Sequence, residues 1–484
     1  MDETKPLTIV IFGATGDLTA RKLIPALFNS YCKNRLPEVF YIVGYARRPW
    51  SHDEFRRRML EDLDEFAADA FDPEEWEAFV RQLWYVQGDL QTPADFEKLR
   101  SFLAELEGGP ANRLYYLAIA PRFFVPVIEN LGAADMVDEV EGWRRVVIEK
   151  PFGHDLESAQ ELNKAVHAVF LEHQIYRIDH YLGKETAQNI LYFRFANTIF
   201  EPVWTRNYVE NVQIAVMESV DVGHRAGYYD QAGVVRDMFQ NHLLQLLSLV
   251  AMEPPASFEA EAVRNEKAKL LSSIRSIALS DTVRGQYRGY RETEGVAPGS
   301  QTPTFAVFKL FIDNWRWKGV PFYLCSGKAA TAKYTQINIE FQKPPHLMFE
   351  HMVEDFTPNI LSFCIQPDEG IHLTLQAKVP DAREMRSVDM EFHYRNSFGD
   401  NSLPDAYERL LLDVIRGDAS LFTRSDGIEA AWRLVDRVIQ DWETEPDAPP
   451  LVTYEPGSWG AEEGKVLLAR DGHVWREGCR DYLE

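Results

Sequence analysis

The sequence predicts two domains, an α/β domain followed by a larger α+β domain, because the apolar pattern changes part-way along the 484-residue chain. Up to about residue 180, short β-branched apolar runs alternate with longer amphipathic stretches, which is typical of α/β folds. Later runs alternate apolar and polar residues, which is typical of an antiparallel sheet with one covered or solvated face. We therefore place the two domains at residues 1–179 and 180–484.

The apolar runs of the first domain carry few polar residues, so we expect strands buried on both faces of a parallel sheet. Polar stretches of helical character, such as Ser51–Phe66, separate the runs. Together they give the βαβ pattern of a doubly wound Rossmann domain, a fold that binds dinucleotides. The predicted strands are Leu7–Phe12, Phe40–Gly44, Leu83–Val86, Leu114–Ala118, Arg145–Ile148 and Ile175–Ile178.

The second domain is predicted to combine a long helix, Gly233–Met252, with an antiparallel sheet, which makes it an α+β domain. The acidic, proline-rich stretch Glu443–Pro450 is predicted as a loop. The predicted strands are Val212–Glu218, Thr304–Ile312, Phe322–Leu324, Ile337–Phe341, Ile360–Ile365, His372–Lys378 and Met390–Tyr394.

The composition is that of a globular protein, with 45% hydrophobic and 26% charged residues, so a largely disordered chain is ruled out. The formal net charge is −24, from 51 Lys and Arg against 75 Asp and Glu. Such a charge argues against nucleic acids and anionic membranes as partners. A local basic pocket for an anionic small molecule is compatible with it.

Four scattered cysteines without a Cys-x-x-Cys pair predict a cytoplasmic protein that lacks a disulfide framework. The acidic, polar start argues against a signal peptide, and no apolar run reaches the roughly 18 residues of a membrane-spanning helix. The sequence has no His-Glu-x-x-His motif and no Cys/His cluster, so we expect no metal site.

The first predicted strand leads into a turn with two glycines and then into a helical run. The first glycine allows the tight turn, and the second lets the backbone approach phosphates that sit on the amides of the helix N-terminus. The usual third glycine is a leucine here, and the turn alone would also fit a plain strand–helix connection. The flanking strand and helix favour a cofactor site. Its predicted cofactor-binding residues are Gly13, Thr15, Gly16, Asp17 and Leu18.

Arg47 and Arg48 follow shortly after the second predicted strand, where a fold that binds NAD would carry an acidic residue for the ribose 2′-hydroxyl. Arg47 can pair with a 2′-phosphate instead, so the predicted cofactor is NADP. The alternative is that both arginines only end a solvated loop.

The fifth predicted strand runs into Lys150, which Pro151, Phe152 and Gly153 follow. Ligands of open α/β sheets lie beyond the carboxyl ends of the strands, so Lys150 is predicted close to the nicotinamide. The alternative for Lys150 is an ordinary surface lysine.

The last strand of the first domain leads into the polar segment Arg177–Glu185. His180 and Lys184 are four residues apart, so a helix starting here would show both on one face. With Tyr181 they would supply donors for a phosphate group. The alternative is a charged helix start with a local ion pair.

His242 falls on the apolar face of the predicted helix Gly233–Met252, where a histidine is more often a core residue than a functional one. A carboxylate partner such as Asp179 would change that interpretation. The aspartate would then fix the imidazole tautomer, and His242 would act as a general base.

These segments resemble the glucose-6-phosphate dehydrogenase family over essentially the whole chain, most specifically in the run R-I-D-H-Y-L-G-K-E at Arg177–Glu185. The resemblance implies oxidation of β-D-glucose 6-phosphate at C1 to 6-phosphoglucono-δ-lactone with NADP, the first step of the oxidative pentose phosphate pathway. It also implies a homodimer formed by the antiparallel sheet, or a homotetramer. The other segments that carry it are Gly13–Leu18, Gly44–Arg47, Glu149–Gly153, Gly233–Gln245 and Gly319–Lys328.

The resemblance assigns a role to each candidate residue. His242 would be the general base for the C1 hydroxyl, and Asp179 would orient it. The substrate phosphate would be held by His180, Tyr181 and Lys184. Lys150 would contact both substrate and cofactor. Glu218 and Asp237 would bind the sugar hydroxyls. Lys328 and Lys333 would close the pocket.

One segment departs from the family pattern: the family often has Arg-Thr-Gly-Lys-Arg where this chain has Cys325-Ser326-Gly327-Lys328-Ala329. Two positive charges are missing near the substrate, which bears on substrate affinity and not on the chemistry. Two other functions remain as alternatives. One is an oxidoreductase for an unphosphorylated sugar, which would not need the cluster at 180–184. The other is an inactive NADP sensor, which would be expected to have lost its base.

Overall fold

In a computed structural model, residues 5–66, 73–348, 356–399, 403–476 and 479 are described, and they form two compact units. The first unit comprises Met1–Gly183, Ser257–Arg264 and Pro404–Glu429. The second unit comprises Lys184–Ala256, Asn265–Leu403 and Ala430–Glu484. The sequence placed the boundary at 179/180, slightly before Gly183, and did not foresee that two later segments belong to the first unit.

The first unit is built on a sheet of six parallel strands in the order β3-β2-β1-β4-β5-β6. This is the strand order of a Rossmann fold, so the predicted fold class is confirmed. Every residue of β1 and β4 is buried, as expected for strands covered by helices on both faces. The strands are β1 Leu7–Phe12, β2 Phe40–Ala46, β3 Leu83–Gln87, β4 Asn112–Leu117, β5 Arg144–Ile148 and β6 Ile175–Arg177.

The second unit contains a nine-stranded sheet in the order β14-β13-β12-β11-β7-β10-β9-β8-β15. The predicted antiparallel sheet is confirmed for most neighbouring strands, and two pairs are parallel, β10 with β7 and β15 with β8. Both pairs join strands that are distant in sequence, so local alternation gave no sign of their direction. The strands are β7 Val209–Met217, β8 Thr282–Tyr287, β9 Phe305–Phe311, β10 Pro321–Gly327, β11 Tyr334–Phe341, β12 Ile360–Gln366, β13 Gly370–Lys378, β14 Met385–His393 and β15 Leu451–Tyr454.

Helices cover the sheets, and local signals set several of their ends. Asp155 caps α6, because its side chain accepts a hydrogen bond from the Ser158 amide at 2.8 Å. Gly417, with φ of 84°, ends α12. The helices are α1 Ile24–Cys32, α2 His52–Phe66, α3 Pro73–Phe79, α4 Pro93–Glu107, α5 Phe124–Ala133, α6 Leu156–His167, α7 Glu185–Ala196, α8 Ala226–Val234, α9 Leu244–Ala251, α10 Ala260–Ser272, α11 Tyr394–Phe398, α12 Ala406–Arg416, α13 Ser425–Thr444 and α14 Glu462–Ala469.

The predicted long helix Gly233–Met252 is interrupted. Gly233 has a non-helical backbone, with φ of 65° and ψ of 173°, and the following residues Val235–Leu243 form a π-helix before α9 begins. The Val234 amide donates to the carbonyl of Pro303 at 2.9 Å, outside the helix. Asp237 and His242 therefore lie on a wider helical turn than the predicted α-helix gives them.

Two features concern the cysteines and the membrane. Cys364 on β12 and Cys479 near the C-terminus form a disulfide, which the prediction of a chain without a disulfide framework did not include. The fold brings the two residues to a Cα–Cα distance of 5.7 Å across a sequence separation of 115, which residue spacing could not reveal.

Within the described ranges, no helix combines the length and the apolar character that crossing a membrane requires.

Candidate active site

The turn after β1 forms a cradle of backbone amides. Gly13 has φ of 84°, in the left-handed region that favours glycine, and its amide donates to the Tyr45 carbonyl at 2.9 Å. The Gly16 amide donates to the Gly13 carbonyl at 2.9 Å. A Cβ at Gly13 would lie 2.2 Å from the Ala118 carbonyl oxygen, so a larger residue does not fit. The turn lies where the strand order reverses, between β1 and β4, which is the ligand-binding edge of such sheets.

The remaining residues of the cradle open the helix that follows. Thr15 is half-buried on the turn, and Asp17 is exposed and pairs with Arg21 at 2.6 Å. Leu18 is half-buried and precedes a π-helical turn, Thr19–Leu23, that leads into α1. The predicted strand, turn and helix start are therefore present. The π-helical turn was not foreseen.

Arg47 follows the last residue of β2, and its side chain is exposed. Its carbonyl accepts a hydrogen bond from the Gln87 side-chain amide at 3.2 Å, which fixes the backbone at this point. The neighbouring Arg48 guanidinium lies 5.2 Å from the centre of the Trp50 ring. The two arginines therefore differ, because only Arg48 stacks on this ring.

The residues after β5 show a buried cluster that the sequence did not predict. Glu149 precedes the half-buried Lys150 and accepts hydrogen bonds from the hydroxyl groups of Tyr116, at 2.6 Å, and Tyr407. Desolvation raises the pKa of Glu149, and the two hydroxyl groups oppose that rise. Tyr407 lies on α12, far along the chain, so no local signal linked it to this strand end.

Asp179, His180 and Tyr181 follow β6 in a hydrogen-bonded turn. The Asp179 carboxylate is only 1% exposed and accepts a hydrogen bond from the Tyr181 amide at 3.0 Å. The rings of His180 and Tyr181 lie 4.9 Å apart. The predicted helix through this segment is wrong, because α7 begins only at Glu185 and residues 180–183 form a turn.

Lys184 opens the second unit as the N-cap residue of α7. Its ammonium group donates a hydrogen bond to the side-chain oxygen of Gln366, at the end of β12. The Gln366 amide in turn donates to the Thr335 hydroxyl at 3.0 Å. The sequence did not single out Gln366, because the strand that carries it is distant in sequence.

The structure brings three of the predicted substrate residues together in the second unit. The Lys328 ammonium nitrogen lies 2.5 Å from a Glu218 carboxylate oxygen and 3.9 Å from an Asp237 carboxylate oxygen. Glu218 follows β7 and Lys328 follows β10, which are parallel neighbours, while Asp237 comes from the π-helix. Lys333 is exposed in the segment before β11. The cluster joins a cation to two acceptors, which suits the binding of several hydroxyl groups.

His242 lies on the π-helix and is 1% exposed. Its backbone amide donates to the side-chain oxygen of Asn241 at 2.6 Å. The predicted burial on an apolar helix face is therefore confirmed, although the helix type differs.

Comparison with known proteins agrees with this architecture along the whole chain. Residues 10–189 match the family model "Glucose-6-phosphate dehydrogenase, NAD binding domain", and residues 191–476 match "Glucose-6-phosphate dehydrogenase, C-terminal domain". The glucose-6-phosphate 1-dehydrogenase of Chlamydia muridarum is 43% identical, with 97% of each chain covered. That of Bacillus subtilis is 41% identical, with 96% of this chain and 97% of the relative covered.

Two solved structures have the same fold. One is a glucose-6-phosphate dehydrogenase in complex with its substrate glucose 6-phosphate, with a TM-score of 0.90 and 34% identity over 97% of this chain and 98% of that one. The other is the glucose-6-phosphate 1-dehydrogenase from Mycobacterium avium, with a TM-score of 0.85 and 36% identity over 98% of this chain and 99% of that one.

A Rossmann sheet with a glycine turn after its first strand defines the class as that of dinucleotide-binding proteins. The matches above narrow the class further. The chain belongs to the glucose-6-phosphate dehydrogenase family.

Proposed function

We propose that this chain oxidises D-glucose 6-phosphate at C1 to 6-phospho-D-glucono-1,5-lactone with NADP as the oxidant. This reaction is the first step of the oxidative pentose phosphate pathway. The observation that carries the proposal is the full-length match to the family, in which both the dinucleotide-binding and the C-terminal models are satisfied.

The cofactor fits the amide cradle of the first unit. Gly13 allows the tight left-handed turn because it has no Cβ to clash with the Ala118 carbonyl oxygen, and amides of the turn and helix start can hold a pyrophosphate. The exposed Arg47 would contact the 2′-phosphate, and Lys150 would contact both cofactor and substrate. Bound NADP supplies the hydride acceptor. The residues proposed to hold the pyrophosphate are Gly13, Thr15, Gly16, Asp17 and Leu18.

The substrate is held at its two ends by different chemistry. Hydrogen-bond donors, preferably cationic ones, suit the doubly charged phosphate. Sugar hydroxyl groups both donate and accept hydrogen bonds, so a mixture of donors and acceptors suits them. His180, Tyr181 and Lys184 are proposed to bind the phosphate. The sugar is assigned to Glu218 and Asp237, with Lys328 and Lys333 closing the pocket and Lys150 contacting it beside the cofactor.

His242 is proposed as the general base that removes the proton from the C1 hydroxyl as the carbonyl forms. Hydride leaves C1 easily only if that proton leaves too. Imidazole titrates close to neutral pH and is therefore suited to this transfer. Asp179 is proposed to orient the ring and to stabilise the imidazolium that results.

A direct assay tests this function against both alternatives. NADPH formation is measured spectrophotometrically with glucose 6-phosphate and with glucose as substrates. We expect turnover of glucose 6-phosphate at far lower concentrations than glucose. A preference for glucose would indicate an oxidoreductase for a neutral sugar, and NADP binding without turnover of either sugar would indicate a sensor.

The assignment of residues 1–179 to NADP binding and 180–484 to substrate binding and dimerisation remains part of this proposal, as does a cytoplasmic location. We further propose a homodimer through the end of the nine-stranded sheet, with a homotetramer as the next assembly. Support comes from β14, the terminal strand, where Met390 is 63% exposed, and from Phe398 of α11, 67% exposed. Light scattering should give at least twice the 55.7 kDa chain mass. A concentration-independent monomer would contradict the proposal.

A further inference from the structure

Tyr229, in the middle of α8, faces the Lys328 ammonium group. The Lys328 nitrogen lies 5.0 Å from the centre of the Tyr229 ring, within the range of a cation–π interaction. The same nitrogen lies 2.5 Å from Glu218 and 3.9 Å from Asp237. The ammonium group is therefore held by a carboxylate and an aromatic ring, with a second carboxylate close by.

The contact is made by the Tyr229 ring and not by its hydroxyl group. Tyr229 is 4% exposed, and in the described part of the chain its hydroxyl oxygen is buried without a hydrogen-bond partner. Burial raises the pKa of Tyr229, and the negative charges of Asp237 and Glu218 act in the same direction. The side chain is therefore a neutral phenol that offers the electron-rich face of its ring to the lysine.

A second tyrosine fixes the main chain of the same lysine. The Tyr454 hydroxyl donates to the Lys328 carbonyl at 2.8 Å, and the Lys328 amide donates to the Thr304 carbonyl at 3.0 Å. The hydroxyl groups of Thr304 and Tyr454 lie 2.9 Å apart. The backbone of Lys328 is thus fixed by Thr304, just before β9, and by Tyr454 of β15. The position of its side chain depends on the Tyr229 ring and the two carboxylates.

We propose that Tyr229 is a positioning residue for Lys328, because its ring keeps the ammonium group between Glu218 and Asp237. Without the ring, the ammonium group would lose one of its three neighbours and would be held less firmly near Asp237, where the sugar hydroxyls are proposed to bind. This inference rests on the proposed function, since it assumes that the Glu218–Asp237–Lys328 cluster binds substrate. It adds a residue that acts on substrate binding through Lys328.

The test compares Tyr229→Leu with Tyr229→Phe in the full-length chain. Phenylalanine keeps the ring face, so we expect an unchanged KM for glucose 6-phosphate. Leucine keeps an apolar side chain without the ring, so we expect this KM to rise roughly 3- to 30-fold, the range that a partly desolvated cation–π contact implies. The KM for NADP should not change, and kcat should change less than the KM for glucose 6-phosphate. Tyr229→Met is the second variant, used if leucine destabilises the fold.

Tyr287→Leu serves as the matched control, because Tyr287 belongs to the same buried apolar cluster as Tyr229. It should lower the thermal unfolding midpoint without raising the KM for glucose 6-phosphate. An unchanged KM in the folded Leu or Met variant, or a Phe variant as impaired as Leu, would overturn the inference. A wild-type chain that does not turn over glucose 6-phosphate would instead overturn the proposed function.

Discussion

We propose that the choice of cofactor depends on Arg47. Its side chain is exposed directly after β2, where a 2′-phosphate contact is expected. A lost charge-assisted hydrogen bond costs roughly 1.5–3 kcal/mol. Arg47→Ala should therefore raise the KM for NADP at least tenfold and leave the KM for NAD almost unchanged, as measured by steady-state kinetics with each cofactor.

Arg48→Ala is the control for this prediction, because Arg48 is the neighbouring exposed arginine and lies over Trp50. It should affect NADP much less than Arg47→Ala does. Equal increases of KM for NADP and NAD in Arg47→Ala would show that Arg47 does not recognise the 2′-phosphate.

Lys184 is predicted to recognise the phosphate of the substrate. Its ammonium group already contacts the Gln366 side chain, so the lysine is held in one place before substrate binds. Lys184→Ala should weaken the use of glucose 6-phosphate strongly, by about tenfold or more in kcat/KM, while slow oxidation of glucose stays nearly unchanged. The exposed Lys343 provides a control, and Lys343→Ala should alter neither substrate.

An equal loss with both sugars would assign Lys184 to the chemical step or to folding instead. The expectation that His180 and Lys184 share a helix face is wrong, because residues 180–183 form a turn and α7 starts at Glu185. The residue types were informative here, and their i, i+4 spacing was not.

At the scale of elements, the local patterns predicted strands well and the interruption of helices poorly. The six strands of the first unit lie within about two residues of their predicted bounds, because buried strands carry apolar runs of their own. The break at Gly233 depends on a hydrogen bond between Val234 and Pro303, which no periodicity reveals. The π-helix that carries Asp237 and His242 begins at Val235, directly after this break.

Helix α12 contains a buried acid that makes stability depend on pH. Burial raises the pKa of Asp413 from 3.8 to about 6, and its pairing with Arg409 at 3.0 Å opposes the rise. The folded chain therefore binds this proton more tightly than the unfolded chain. The stabilisation is present below about pH 4 and is lost as the pH rises through about 6.

Asp413→Asn removes that titration. It should raise the free energy of unfolding at pH 7 by up to about 3 kcal/mol and change it little near pH 4, in denaturant titrations at both pH values. Asp447→Asn, at an exposed position, should have little effect at either pH. A stabilisation by Asp413→Asn that is the same at both pH values would show that titration of this group is not the cause.

At the scale of the whole molecule, long-range contacts were beyond the sequence patterns. The segment Pro404–Glu429 belongs to the first unit because buried Glu408 accepts hydrogen bonds from Lys33 and Arg35, at 2.8 and 2.9 Å. These partners are more than three hundred residues apart in sequence. The contact of Tyr407 with Glu149 and the disulfide Cys364–Cys479 also join residues that are far apart in sequence, so sequence patterns did not predict them.

The residues of the candidate site also fall into those that local patterns indicate and those that only long-range contacts bring in. Residues within specific local motifs, such as Gly13 and Asp179, could be proposed from the sequence alone. Residues that support them from distant strands could not, as Gln366 and Tyr454 show. Family resemblance supplied roles for the former group only.

We propose that the oxidation of glucose 6-phosphate uses His242 as the base and Asp179 as its partner. Loss of a general base typically costs about 10²–10⁴ in rate, so His242→Asn should lower kcat by that factor with little change in KM. Asp179→Asn should lower kcat as well, since the imidazole would lose its orientation and its supporting charge.

The most direct test is the kcat of the double variant, measured with saturating glucose 6-phosphate and NADP beside both single variants. If the two residues act as one unit, the double variant should be far less impaired than the product of the two single losses. Losses that multiply fully would contradict the pairing, and a near-normal kcat in His242→Asn would return that residue to a structural role in the core.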